Sequence, residues 1–202
     1  TSAGSVRRET FTISAQLTVS PPNGSPGIEV NITGRGFGAN EQDIAITYAG
    51  TPMLTVLSAD ARGVFTTSFV VPPSASGSHS VRASGSATRA VSGSETSFRV
   101  TPSIALSRSK GPLGAPMTVT GSGFGANERG ITITYDNIPV LSGASPVSAN
   151  AQGSFVTSFP LPPSPAGPHL IQASGSVTAS AARPEQVFTA TPSVALTTST
   201  GH

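Results

Sequence analysis

The chain of 202 residues has no cysteine, no tryptophan and a single lysine (Lys110), and only 10% of its positions are charged. Without cysteine there is no disulfide framework, thiolate nucleophile or cysteine-based zinc site. Without tryptophan, and with aromatics at 5% of positions, the sequence lacks the flat platform on which a sugar-binding module stacks its ligand. The eleven basic residues are scattered, and only Arg7 and Arg8 are adjacent. A nucleic-acid binder would cluster them on one face, and the net charge of +2 reflects scarce acids rather than a basic patch. No apolar run approaches the roughly 18 residues of a membrane-spanning helix. No secretory leader opens the chain, so a secreted form is expected to be this mature sequence.

What is present is small, branched and turn-forming. Ser and Thr together supply 55 positions, Gly 22 and Pro 18. Val, Ile, Phe and Thr recur in short runs, and no ten-residue window carries a helical period. That composition points to an all-β chain. The length suits two domains of about 100 residues better than one large one.

Internal duplication is the strongest signal. GRGFGANE (34–41) returns as GSGFGANE (121–128), and IAITY (44–48) as ITITY (131–135), both at an offset of 87. A short insertion then changes the offset to 90. DARGVFTTSF (60–69) matches NAQGSFVTSF (150–159), and VPPSASGSHSVRASGS (71–86) matches LPPSPAGPHLIQASGS (161–176). SFRVTPSIAL (97–106) closes the series against VFTATPSVAL (187–196).

Within the first unit, alternating runs are expected to be strands at Leu17–Ser20, Ile28–Thr33, Ile44–Tyr48, Met53–Ser58, Val64–Val71, His79–Ala83 and Thr96–Thr101. The segments between them carry Gly, Pro and Asn, which supply the special φ values of tight connections. Seven strands in about 90 residues is the count of an immunoglobulin-like sandwich. The expected cores are Val30, Ile46, Phe65 and Phe69 in one unit, and Val119, Ile133, Phe155 and Phe159 in the other.

The ordered series G-x-P-G, V-x-I-x-G-x-G-F, E, I-x-I-x-Y, D/N-A-x-G-x-F, P-P, H and A-S-G resembles bacterial extracellular Ig-like modules of the IPT/TIG type, over nearly the whole of both units. The resemblance implies two tandem immunoglobulin-like β-sandwiches and a cell-surface or secreted role in adhesion, spacing or assembly. It implies no activity.

Several motifs invite a chemical reading. Gly34 to Ala39 fits the dinucleotide fingerprint G-x-G-x-x-A, but that chemistry needs a helix N-terminus next. An alternating strand follows instead, in both copies, so the segment reads as a turn. Glu41 and Asp43 beside Asn40 offer oxygens of the kind calcium takes. The second copy reads Asn127-Glu128-Arg129-Gly130 and lacks the second acid, so no metal is assigned. His79 and His169 hold equivalent strand positions among aliphatic, Ser, Pro and Gly neighbours, which suits packed rings rather than a ligand pair. No carboxylate pair repeats as in a glycosidase, and no G-x-S-x-G elbow occurs. The expectation is no enzyme activity and no cofactor. Asn23-Gly-Ser and Asn31-Ile-Thr are sequons for glycans, the first expected in a loop and the second in a strand.

The repeat overruns both ends. TPSVAL (191–196) copies TPSIAL (101–106), the expected first strand of unit two, and TFTISAQLTV (10–19) aligns with SFRVTPSIAL (97–106). Four segments are therefore expected: an N-terminal strand segment at 1–16, Ig-like domains at 17–101 and 102–191, and an orphan strand at 192–202. Phe11, Ile13, Val194 and Leu196 are the expected assembly residues. The partner is expected to be a further copy of the chain, with polymerisation by exchange of terminal strands outside the cell. The alternative is a spacer or adhesion module pair of a larger surface protein.

Overall fold

The computed structural model describes residues 14–88, 94–141, 146–178 and 184–192. Among them the regular structure consists of strands alone, arranged in four sheets. The chain divides into two compact units. Two of the sheets draw their strands from residues 16–100 and two from residues 103–191.

The first sandwich contains β1 (Gln16–Ser20), β2 (Asn23–Gly24), β3 (Glu29–Arg35), β4 (Ile44–Tyr48), β5 (Thr51–Leu57), β6 (Phe65–Val70), β7 (Gly77–Ser84) and β8 (Glu95–Val100). One sheet has the order β1-β3-β6 and the other β2-β8-β7-β4-β5. Inward and outward residues alternate as the pleat requires. Val30, Ile32 and Gly34 point inward from β3, and Ile44, Ile46 and Tyr48 from β4. Facing them are Phe65 and Phe69 of β6, Val81 and Ala83 of β7, and Phe98 and Val100 of β8, all buried.

The second sandwich repeats this plan with β9 (Ser103–Leu106), β10 (Lys110–Pro112), β11 (Pro116–Ser122), β12 (Thr132–Tyr135), β13 (Ile138–Pro139), β14 (Phe155–Pro160), β15 (Gly167–Ser174) and β16 (Glu185–Thr191). Its sheets run β14-β11-β9 and β10-β16-β15-β12-β13. Met117, Val119, Phe124, Ile133, Phe155, Phe159, Leu161, Ile171 and Phe188 form one continuous core. The same edge-to-face pair anchors each sandwich. Phe37 meets Phe65 and Phe124 meets Phe155, each at 4.9 Å between centroids and 76° between planes, the geometry that aromatic quadrupoles favour.

All eight expected core residues are buried, and β4 has the expected bounds. Two expectations need correcting, the place of Asn23 and the count of seven strands. Asn23 does not lie in a loop but in β2, which pairs in parallel with β8, Asn23 opposite Arg99. Two residues are too few to show a period, and their partner lies far along the chain. In both sandwiches the first strand gives way to a short second one that joins the opposite sheet, as β10 does beside β16. Among the described residues this raises the count to eight strands per sandwich.

The core assignment has a direct test. Ile133→Ala should destabilise the second sandwich by about 2–5 kcal/mol, because it removes buried methyl groups and leaves a cavity. Ile138→Ala, at a side chain 69% exposed, should change stability by less than about 0.5 kcal/mol. Urea unfolding followed by tyrosine fluorescence compares the two.

Candidate functional site

Three loops meet at one end of each sandwich, and loops of this kind carry more backbone amides than a sheet can pair. In the second sandwich the side chain of Glu128, 2% exposed, collects them. Its Oε2 accepts from Gly125 N at 2.7 Å and from Thr178 Oγ1 at 2.7 Å. Its Oε1 accepts from Val177 N at 2.7 Å and Thr178 N at 2.6 Å. Glu41 does the same in the first sandwich. Its partners are Gly38 N at 2.7 Å, Ala87 N at 2.8 Å, Thr88 N at 2.5 Å and Thr88 Oγ1 at 2.6 Å.

The third loop is tied to the same glutamates through their backbones. Ala59 N donates to Glu41 O at 2.9 Å, and Ala149 N to Glu128 O at 2.8 Å. Its tight turn rests on one side-chain oxygen. Asp60 Oδ1 accepts from Arg62 N and Val64 N, as Asn150 Oδ1 does from Gln152 N and Ser154 N, an Asx turn that either residue type can build. Gly63 and Gly153 follow at φ +70°, hard against the carbonyls of Phe37 and Phe124, where any side chain would clash. Gly85 and Gly175 are constrained differently: a methyl group on either would overlap the glutamate carboxylate. The repeated A-x-G and A-S-G signatures are thus the negative image of this knot.

Burial works against ionisation of both glutamates, but donation from the two threonines and the flanking amides outweighs it. Both carboxyls are held below the usual glutamate range. With four donors on each carboxylate, Glu41 is committed to loop closure rather than facing outward as a calcium ligand would. Among the described residues no group of three or more His, Cys, Asp or Glu is placed to hold a metal. The G-x-G-x-x-A segment is a turn: Gly34 lies in β3, Phe37 N bonds Gly63 O at 3.1 Å, and β4 follows.

The histidines pack as rings. His79 stacks on Tyr48 with centroids 5.3 Å apart, and His169 on Tyr135 at 4.8 Å. The second pair has an addition that sequence reading missed. His169 Nδ1 lies 2.6 Å from Asp136 Oδ2, and Leu170 N donates to Asp136 Oδ1 at 2.9 Å. Asp136 was visible in the repeat alignment as the acid replacing Ala49, but nothing local showed that it reaches β15.

Asn31 projects to solvent from β3 opposite Ser20, and the Asn23 side chain is exposed on β2. Phe11, Ile13, Val194 and Leu196 lie outside the described residues. Their counterparts by repeat are informative: Phe98 and Val100 are buried in β8, and Ile104 in β9.

Fold and loop architecture together define tandem immunoglobulin-like domains. Residues 17–100, the first sandwich, match the family described as IPT/TIG domain, and the second sandwich repeats its strand order. Among solved structures the chain is similar to the Yersinia pseudotuberculosis adhesin InvE, at 15% identity over 89% of this chain and 59% of that one, with a TM-score of 0.42. It is similar to Y. pseudotuberculosis InvD at 15% identity over 96% and 62%, TM-score 0.37. The fibronectin(III)-like modules of Clostridium thermocellum CbhA give 14% identity over 87% and 94%, TM-score 0.28. The chain thus spans about three fifths of the InvE and InvD structures. No curated protein matches it.

The glutamate knots make stability depend on acid in a defined direction. A carboxyl whose pKa is lowered by folding stabilises fully above its unfolded value, about 4.3 for Glu, and the stabilisation is lost as pH falls through the folded value. Glu128→Gln should cost about 2–4 kcal/mol at pH 7, because an amide replaces one acceptor oxygen with a donor facing other donors. The melting temperature of the Glu41→Gln/Glu128→Gln protein should be lower at pH 7 and flatter between pH 5 and 2.5 than that of the parent. Calorimetry across that range reads both effects.

Proposed function

We propose that the chain is a structural protomer of an extracellular filament that polymerises by exchange of terminal β-strands between subunits. The observation that carries this reading is the fate of TPSIAL at 101–106. That segment supplies β9, in antiparallel register with β11, with Ile104 sunk into the core. The same six-residue pattern at 191–196 presents Val194 and Leu196 where β9 presents Ile104 and Leu106. Among the described residues the place this strand would take is already held by β1 in one sandwich and β9 in the other, which supports a partner sheet in another subunit.

Donation to another subunit would satisfy the backbone along an open edge and place alternate side chains in its core. Burial of Val194 and Leu196 would contribute about 3–6 kcal/mol before ordering costs. A contact of this head-to-tail kind does not close on itself and so propagates. The N-terminal segment fits the same scheme, because Phe11 and Ile13 repeat Phe98 and Val100 of β8. The resemblance to surface Ig-like modules supports an extracellular setting. Glycans at Asn23 or Asn31 would project from exposed positions without disturbing either core. The role is structural rather than catalytic.

Removal of residues 192–202 should leave a folded two-domain subunit that forms no fibres by negative-stain electron microscopy. Val194→Asp or Leu196→Asp should act likewise, because an unpaired carboxylate would have to enter an apolar groove. Thr200→Ala should assemble normally. Fibres of parental morphology from the truncated chain would overturn strand exchange and leave a spacer or adhesion module pair as the function.

A further inference from the structure

At the end away from its glutamate knot, the second sandwich adds an acid, Asp136, to a tyrosine–histidine stack that both sandwiches carry. β12 ends at Tyr135, and the turn into β13 is made by Asp136 and Asn137, with φ of 49° and 66°. His169, near the start of β15, is 9% exposed. Its two ring nitrogens face different elements: Nδ1 faces Asp136 Oδ2 at 2.6 Å, and Nε2 faces Pro165 O at 2.8 Å. The Tyr135 ring stacks on the imidazole, and its hydroxyl lies 2.9 Å from Ser164 Oγ. Between the turn and the proline-rich loop is a slot of about 410 Å³, lined among others by Tyr135, Ile138, Pro139, Pro162 and Pro165.

Both oxygens facing the ring are acceptors only. A neutral imidazole has one N–H and one lone pair, so in either tautomer one nitrogen would set its lone pair against an oxygen. The imidazolium, with two N–H groups, satisfies both. We propose that His169 is a proton-operated clamp. Its charged form ties the Pro162–Pro165 wall of the slot to the β12–β13 turn, and loss of the proton releases the wall at Pro165 while the bond to Asp136 persists.

The surroundings favour a clean switch. Asp136 is the ionised group in contact with the ring, and Tyr135 is the other titratable one. The 160–166 loop contributes no ionisable side chain. On β16, Glu185 is in register with Gln172 and accepts from its amide. On β10, exposed Lys110 is in register with Thr189. The bond to Asp136 holds the His169 pKa above the ordinary histidine value against the opposing effect of burial, with help from the Pro165 carbonyl and the carboxylate charge. The His169 bond, then the Leu170 amide, holds Asp136 below the ordinary aspartate value. The signs follow. The histidine contribution is complete below about pH 6.5 and is lost as pH rises through the raised value. The aspartate contribution is complete above about pH 3.9 and is lost as pH falls through the lowered one. The clamp therefore holds across mildly acidic conditions and opens on the alkaline side. In the first sandwich Ala49 occupies the place of Asp136, so the same stacked ring lacks this carboxylate.

This proposal is independent of strand exchange and is tested on the full chain in solution. The imidazole nitrogen and carbon resonances of His169 are followed by NMR from pH 4 to 9, together with the backbone amides of Ala166 and Gly167. His169 should titrate above the ordinary histidine value, and both amides should shift with the same midpoint. Asp136→Asn, which preserves shape, should bring the His169 midpoint down. Titration of His169 at or below the ordinary value would overturn the clamp. So would an unchanged midpoint in Asp136→Asn, or loop amides that ignore the His169 transition.

Discussion

A small β-sandwich must close its ends without leaving buried amides unpaired, and here a single carboxylate in each domain meets that demand. The sheets satisfy their own backbone, but the loops that turn between them cannot. Glu41 and Glu128 each gather donors from two loops through the carboxylate and fasten a third through the main chain. A neutral side chain of similar length could not accept from all of them. The rest of the loop architecture follows from this arrangement. Glycine must face each carboxylate, threonine must supply a hydroxyl, and the Phe37 and Phe124 turns must come close enough to seat their rings on Phe65 and Phe155.

The two repeats show what the fold tolerates around that fixed centre. Asp60 becomes Asn150 without loss, because the turn uses one side-chain oxygen and not the charge. Among the described residues the edge strand β5 has seven residues and its counterpart β13 two, with further pairing of Val140 to Ile133 and of Val147 to Ile131. The turn at that edge carries Asp136 in the second sandwich, in contact with His169, where the first has Ala49. The central pairing keeps its register: Ile46 opposes Ala83 as Ile133 opposes Ala173.

A sandwich of this class needs alternating apolar residues, turn formers and a way to close its ends, and little else about its sequence is constrained.

Much of the molecule was legible before any coordinates. Strict alternation in IAITY and ITITY determined which side chains enter the core, because a strand has a period of two and only one face can be buried. Duplication determined that there would be two sandwiches of one plan. Tertiary structure alone decided three things. The two-residue β2 is defined only by its parallel partner β8, too short and too distant to register as a pattern. Glu41 read locally as one of two acids offering oxygens to calcium, and only the approach of residues 87–88, brought beside it by the pairing of β7 with β4, showed it to be buried and saturated. Asp136 and His169 are separated by 33 residues, and it is the antiparallel register of β12 with β15 that brings them into contact. Local periodicity reports which way a side chain points, whereas hydrogen-bond partners across a sandwich depend on long-range register.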